Sequence, residues 1–321
     1  MSINPNKVRT ITKGLNIDTI FRENMENSSP SDFTFKLNEP INNAVSIKLS
    51  AIELPNMWYA FSSHNKSNTF TIHCFNIPPD VTGSPATNAT YNINIPDGNY
   101  LANNFQDMIN NLFVNSGGGL KFIHFEVNEF TTNSSFRAVH SDDGQGVNPY
   151  SDGKTDFSFS IDFAVQGQPL IKTAGWNLGF RQPSYTVDYN DQYSDFVTNN
   201  EMVAVHKAYV VSESSFGSSV HQYVFLELVD YKRNSVTDAI VSGLPNSYLG
   251  NDILARITVS SGQNTIVLDN ASDLVFKKRC YFGPQNLEKF HVRLLDKHGD
   301  VIDLNFNNFS FMLEIEQNYS S

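Results

Sequence analysis

Apolar and polar residues alternate with period two along most of this sequence, which is what a β-strand requires when one of its faces is buried. From Asp32 the residues Phe33, Phe35 and Leu37 follow this pattern, and from Val45 it returns at Ile47, Leu49 and Ala51, up to Pro55, which lacks a ladder donor. The same reading predicts strands over Phe70–Phe75, Tyr91–Ile95, Lys121–Val127, Asp156–Phe163, Val203–Val211 and Tyr223–Tyr231. Further strands are predicted over Ile253–Val259, Thr265–Leu268, Leu287–Leu295, Val301–Leu304 and Phe309–Ile315, with a hairpin turn at Asp296–Gly299. One stretch departs from the rule. Leu101, Phe105, Met108, Ile109, Leu112 and Phe113 recur at helical spacing, predicting a helix over Tyr100–Val114 that Asp97 or Asn99 could cap. The glycine triplet 117–119 and the Gly-, Asp- and Asn-rich stretch Ser141–Lys154 read as exposed loops. No internal repeat and no heptad array is present, so the natural arrangement is a sandwich of antiparallel sheets.

With 321 residues and 40% hydrophobic content, the chain can bury a large core, as one large β-domain or two smaller ones. Its two cysteines, Cys74 and Cys280, lie far apart without partners at metal-ligand or redox spacing, so both are expected to be reduced and buried. The segment Met1–Leu15 is polar, and no run approaches the ~20 apolar residues a bilayer-crossing helix needs, so a soluble, intracellularly made protein is expected. In that setting the Asn-x-Ser/Thr triplets at Asn65, Asn88 and Asn133 are chance products of an Asn- and Ser-rich chain. The net charge of −11 disfavours nucleic acid, and basic residues cluster only at Lys7, Arg9 and Lys13 and at Lys277–Arg279. Charged residues make up 17%, against roughly 25% in an average soluble domain, which suits packed sheets and polar, uncharged contact surfaces.

The usual signatures of chemistry are missing. There is no phosphate-binding glycine loop, no Gly-x-Ser-x-Gly elbow and no zinc-spaced histidine pair, and no cofactor is called for. The eight histidines are dispersed, with His73 beside Cys74 and His291 and His298 flanking one strand, and they read as structural. Asp142 and Asp143 before Gly144 could offer oxygens to calcium, but the spacing departs from the twelve-residue loop, and a solvated loop is the better reading. The run Lys277–Arg279 reads as a solvated strand edge that resists unwanted pairing, with contact to an acidic partner as second choice. Gly175-Trp176-Asn177-Leu178-Gly179-Phe180-Arg181 reads as a tight bend that inserts Trp176 and Phe180 into a core.

Several segments, in order along almost the whole chain, resemble the jelly-roll minor capsid and penton-type proteins of nucleocytoplasmic large DNA viruses. They are Leu15–Arg22, Ser31–Phe33, Val45–Asn56, Gly175–Arg181, Asp252–Ile257, Tyr281–Pro284, Leu294–Gly299 and Asn308–Glu314. One departure is Ile20, where a basic residue is expected before the Phe of the opening motif; Arg22 is retained. The resemblance implies an all-β, antiparallel jelly-roll β-sandwich with an N-terminal arm over residues 1–30. The body would run from 31 to 321, with a helix-containing insertion around 97–155 that could form a second β-lobe. It implies a structural, non-enzymatic role in a virion capsid assembled in the host cytoplasm. The partners would be the major capsid protein, other capsid subunits and copies of itself, as a pentamer if it is a penton, with neither nucleic acid nor membrane insertion. Asn16, Asp18 and Arg22 at the end of the arm are the candidate inter-subunit contacts, although an edge strand of the chain's own fold is an equal reading of that segment. The rival readings are a virion-surface receptor- or carbohydrate-binding sandwich and a glycoside hydrolase on a sandwich scaffold.

Overall fold

The computed structural model describes residues 10–77, 85–138, 157–187, 197–198, 201–202, 209–217, 223–232, 235–236, 243–244, 247–248, 250, 251–259, 265–269 and 278–319. The expected loop at Ser141–Lys154 with Asp142 and Asp143, the first part of the strand expected from Val203, and Lys7, Arg9 and Lys277 lie outside them. The chain divides into two compact units, Met1–Trp58 with His221–Ser321, and Tyr59–Val220. The second unit is therefore an insertion between two parts of the first, and it is wider than the 97–155 expected.

The first unit opens with β1 (Thr10–Asp18) and β2 (Asp32–Pro55). The second contains β3 (Thr69–Ile77), β4 (Thr87–Asn94), α1 (Ala102–Ser116), β5 (Ile123–Val127), β6 (Asn133–Ala138), β7 (Ser158–Asp162), α2 (Ala174–Asn177), β8 (Ser184–Val187), β9 (Val197–Thr198), β10 (Glu201–Met202) and β11 (Tyr209–Ser215). The first unit resumes with β12 (Tyr223–Val229), β13 (Ser235–Val236), β14 (Ile253–Thr258), β15 (Ile266–Asp269), β16 (Lys278–Leu295) and β17 (Ser310–Asn318). Every pairing among the described strands is antiparallel, as the all-β reading expects.

In the first unit the strand order is β1-β17-β2-β16-β12-β14, with β13 also paired to β16 and β15 to β2. The two strands expected at Phe33 and Val45 are one, β2, and its interruptions are bulges rather than a turn. Pro40 falls where the pairing with β16 shifts register, so its missing donor costs no ladder bond. Against β17 the pairs Leu49↔Leu313 and Ala51↔Met312 leave Ser50 as an extra residue. That extra residue changes which side chains point inward: Ile47 and Leu49 are buried before it, Ile52 and Leu54 after it. Inward residues of β2, β12, β14, β16 and β17 form one core, among them Ile47, Leu226, Leu254, Phe290 and Phe311.

On the other face of this sheet, charges on neighbouring strands are paired. Lys48 Nζ lies 3.3 Å from Glu314 Oε2, Lys278 Nζ 2.9 Å from Glu316 Oε2, and Ser46 Oγ donates to the same Glu316 oxygen at 2.6 Å. The Ser46 hydroxyl first, then Lys278, hold the Glu316 carboxyl below its ordinary range. The folded state therefore favours the carboxylate, so this stabilisation is present above the unfolded value of about 4.3 and is lost as pH falls through the lower folded value. A Glu316→Gln chain is expected to be less stable than the parent by under ~1 kcal/mol at neutral pH, because the rung is part-exposed. The gap should close as acid protonates Glu316, and urea midpoints measured across the acid range check this.

The second unit closes two sheets, β4-β3-β7-β8 and β11-β6-β5, on a phenylalanine-rich core. Phe70 of β3 meets Phe136 of β6 at 5.9 Å between ring centroids, joining the sheets edge to face. The expected helix is α1, which buries Phe105, Ile109 and Phe113. Its N-terminus has no side-chain cap, contrary to expectation. Asp97 instead accepts from Ser63 N, Ser63 Oγ and Asn68 Nδ2, and Asn99 Oδ1 from Ala60 N, so both hold the loop after Tyr59. The helix also closes the edge of β5 that no described strand pairs. Asn110 donates to Phe125 O at 2.9 Å and accepts from Phe125 N at 2.8 Å, while Gln106 Oε1 accepts from Val127 N at 3.0 Å, so side-chain amides substitute for a missing strand.

Other expectations are corrected. The glycine triplet is not an open loop: Gly117 caps α1 with φ +65°, and Gly119 is buried where a Cβ would come within 2.7 Å of Cys74 Cβ. Cys74 is buried, and burial pushes its thiol up to about 12, whereas Cys280 is exposed because it faces outward on β16. Val301–Leu304 forms only a bridge at Val301↔Leu295. The turn before it is as expected, with Gly299 N donating to Asp296 O at 3.1 Å and Gly299 at φ +86°.

Candidate functional site

The segment read as an arm is a strand of the first unit, with β1 paired to β17 from Thr10↔Asn318 to Asp18↔Ser310. Among the described strands none pairs with its other side. Thr10–Ile17 carries one charge, Lys13, and neither proline nor bulge, so this edge has few of the features that usually prevent strand addition.

The three candidate residues take different places on it. Asn16 is exposed on the edge strand, opposite Met312. Asp18 caps the short 3-10 turn Thr19–Phe21, its Oδ1 accepting from Ile20 N at 3.0 Å. Arg22 points back into the chain, with Nη1 donating to Thr19 O at 2.9 Å and Asn308 Oδ1 at 2.8 Å and Nε to Ser28 Oγ at 3.2 Å. Asp18 and Arg22 thus shape the turn that follows β1, and Asn16 alone of the three is offered outward.

Sequence reasoning missed the apolar residues this turn exposes. Ile20, Phe21 and Met25 face solvent, as does Phe306 in the loop bound to the turn. Its only signal in the sequence was a lone phenylalanine within Asn305–Asn308, since asparagine is enriched at left-handed backbone positions.

A second polar constellation is buried. Arg279 was expected on a solvated edge, but it is 4% exposed: this end of β16 is an inner strand, paired with β2 at Arg279↔Ile47 and with β13 at Cys280 and Tyr281. Its Nη1 donates to Asp230 Oδ2 at 2.9 Å and Leu228 O at 2.8 Å, and its Nη2 to Asp252 O at 2.9 Å. The Tyr281 hydroxyl donates to the same Asp230 oxygen at 2.5 Å. Burial first, and the Asp230 charge second, hold that hydroxyl far above the usual tyrosine range. Burial likewise raises Asp252, against the pull of Arg279. Nearby, Arg293 pairs with the buried Glu227. The cluster has no activated nucleophile, and its donors point at carbonyls and carboxylates of neighbouring strands, which it ties together.

In the second unit the Gly175–Arg181 segment forms α2 and a bend. Phe180 is fully buried, as expected, while Trp176 is half-buried under the Arg181 guanidinium, 4.0 Å from its ring centroid. Tyr185 OH donates to Glu213, 2.7 Å from Oε2, and accepts from the amides of Arg181 and Gln182. Burial, then the Glu213 hydrogen bond, pushes that hydroxyl up to about 12. Among the described residues no group of three or more His, Cys, Asp or Glu is placed to hold a metal ion.

No family model and no curated protein matches the chain. Solved structures similar to it over nearly its whole length include the following two. One is the mavirus penton protein, 9% identical, over 96% of this chain and 99% of the other, with a TM-score of 0.44. The other is a chain in the structure of the Sputnik virophage, 15% identical, over 96% of this chain and 98% of the other, with a TM-score of 0.42.

Proposed function

We propose that this chain is a non-enzymatic structural subunit of the icosahedral capsid of a large DNA virus, of penton or minor-capsid type, and that it acts by assembling with the major capsid protein. The observation that carries this reading is where the capsid-like segments fall. They are scattered from Leu15 to Glu314 in sequence, yet all except Gly175–Arg181 belong to the first unit, mostly on paired strands. Leu15–Asp18 lies opposite Ser310–Leu313, Asp32 and Phe33 opposite Arg293 and Val292, and Ser46–Glu53 beside β17.

Such a subunit works by geometry. A rigid sheet presents an edge and loops, neighbouring subunits bury them, and rotational symmetry closes the contact. Asn16 on the open edge of β1 contacts a neighbour directly, whereas Asp18 and Arg22 position the turn beside it.

Light scattering on the purified chain, alone and with the major capsid protein of the same virus, tests the reading. A pentamer is the result expected of a penton, and a monomer captured only by the major capsid protein that of a minor capsid subunit. A monomer inert towards both would overturn the proposal.

A further inference from the structure

We infer that Phe306, with Phe21 on a turn hydrogen-bonded to the same loop, anchors this chain to a different protein chain of the shell, one that offers an apolar pocket with a basic rim. The inference rests on the assembly reading above. Isolated exposed apolar residues are ordinary on protein surfaces. Phe306 differs because its backbone is held in a conformation that disfavours it.

Asn307 N donates to Leu304 O at 3.0 Å, and the two residues between have φ +51° and +63°, so Leu304–Asn307 is a turn of the type I′ kind. Its third position suits glycine, and a bulky side chain rarely adopts that φ. Here it bears a phenylalanine that is 93% exposed. Asn305 N donates to Asp303 Oδ1 at 2.8 Å, Asn305 Nδ2 to Met57 O, and Asn307 Nδ2 to Leu304 O at 2.8 Å, so the turn is tied on both sides. No internal packing accounts for a strained, outward ring, whereas a pocket on a partner would.

The turn carrying Phe21, 84% exposed, is fastened to the same loop. Thr19 N donates to Phe309 O at 3.0 Å, Phe309 N to Thr19 Oγ1 at 2.9 Å, and both Thr19 Oγ1 and Arg22 Nη1 to Asn308 Oδ1. Two aromatic rings are thus presented from interlocked turns, which limits the ordering cost of docking. Charge selects the partner. Glu23 and Glu26 are exposed beside Phe21, Asp303 precedes the other turn, and Arg22, the one cation in these turns, is held by Asn308 and Thr19. A second copy carries a net charge of −11 and is on average repelled by this acidic rim, so a chain with a basic rim fits better than a copy of this one.

The test compares the full-length parent with Phe306→Gly and Phe21→Ser in binding to the major capsid protein of the same virus, while light scattering follows each chain's own oligomeric state. Glycine suits the turn, so Phe306→Gly should fold at least as well as the parent. It is expected to weaken binding about tenfold or more, with the chain's own oligomeric state unchanged and with parental binding weakened by added salt. Parental affinity in Phe306→Gly, or loss of the chain's own oligomer instead, would overturn the inference and leave the assembly reading standing. A parent that does not bind would overturn the inference, and where that parent is also a monomer it would remove the assembly reading too.

Discussion

Gly179→Ala is expected to destabilise the second unit by on the order of 4 kcal/mol, because it combines backbone strain with a clash the backbone cannot relieve. Gly179 has φ +95°, and a Cβ there would overlap the Ser214 carbonyl oxygen and lie 2.9 Å from Ser212 Oγ. Both belong to β11, and Ser214 N donates to Gly179 O at 3.0 Å, so the bend after α2 and the strand are fixed to each other. Gly167 supplies the control: it also has a positive φ, +78°, but nothing lies within 4 Å of its Cβ position. Gly167→Ala should therefore cost only about 1–2 kcal/mol, the penalty of the backbone conformation alone. Amide hydrogen exchange over β6, β8 and β11 measures both. Equal losses for the two variants would mean that the close approach at Ser214 has no energetic weight.

Asp230→Ala is expected to cost about 3–5 kcal/mol in the first unit. It leaves the Arg279 guanidinium buried without its carboxylate and the Tyr281 hydroxyl without its acceptor. Replacing the pair together, as Asp230→Leu with Arg279→Met, should cost less than the single change, since neither charge of the pair is left buried without the other. Recovery would be incomplete, because the Leu228 and Asp252 carbonyls lose their donor. Two units need not unfold together, so protection of amides in β12, β14 and β16 is the sharper measurement than one global midpoint. A loss below about 1 kcal/mol for Asp230→Ala would show that water reaches the pair in solution.

Much of the strand content was legible because alternation is a local property. The strands at Phe70, Tyr223, Ile253 and Phe309, the helix burying Phe105, Ile109 and Phe113, and the Asp296–Gly299 turn all lie where the pattern put them. What misled was chemistry whose partner is distant in sequence. Arg279 looked like part of a solvated basic run because Asp230, 49 residues away, leaves no mark beside it. Asp97 and Asn99 sit where helix caps belong, yet the loop after Tyr59 takes their hydrogen bonds. Of the candidate contact residues, Arg22 was singled out for its place at the end of the arm, but its charge is directed to Asn308, 286 residues away.

The sequence by itself determined that this chain is built from antiparallel strands, with one long helix at Phe105–Phe113, and which side chains are apolar enough to form its cores. Those follow from residue type and spacing. Only the tertiary structure decided that β2 is a single strand whose inward face changes at Ser50, that the second unit interrupts the first between Trp58 and His221, and that Phe306 is turned outward on a strained backbone. Register, insertion and exposure depend on which distant segments meet, and that is set by the free energy of the packed whole, to which any one stretch of sequence contributes only a part.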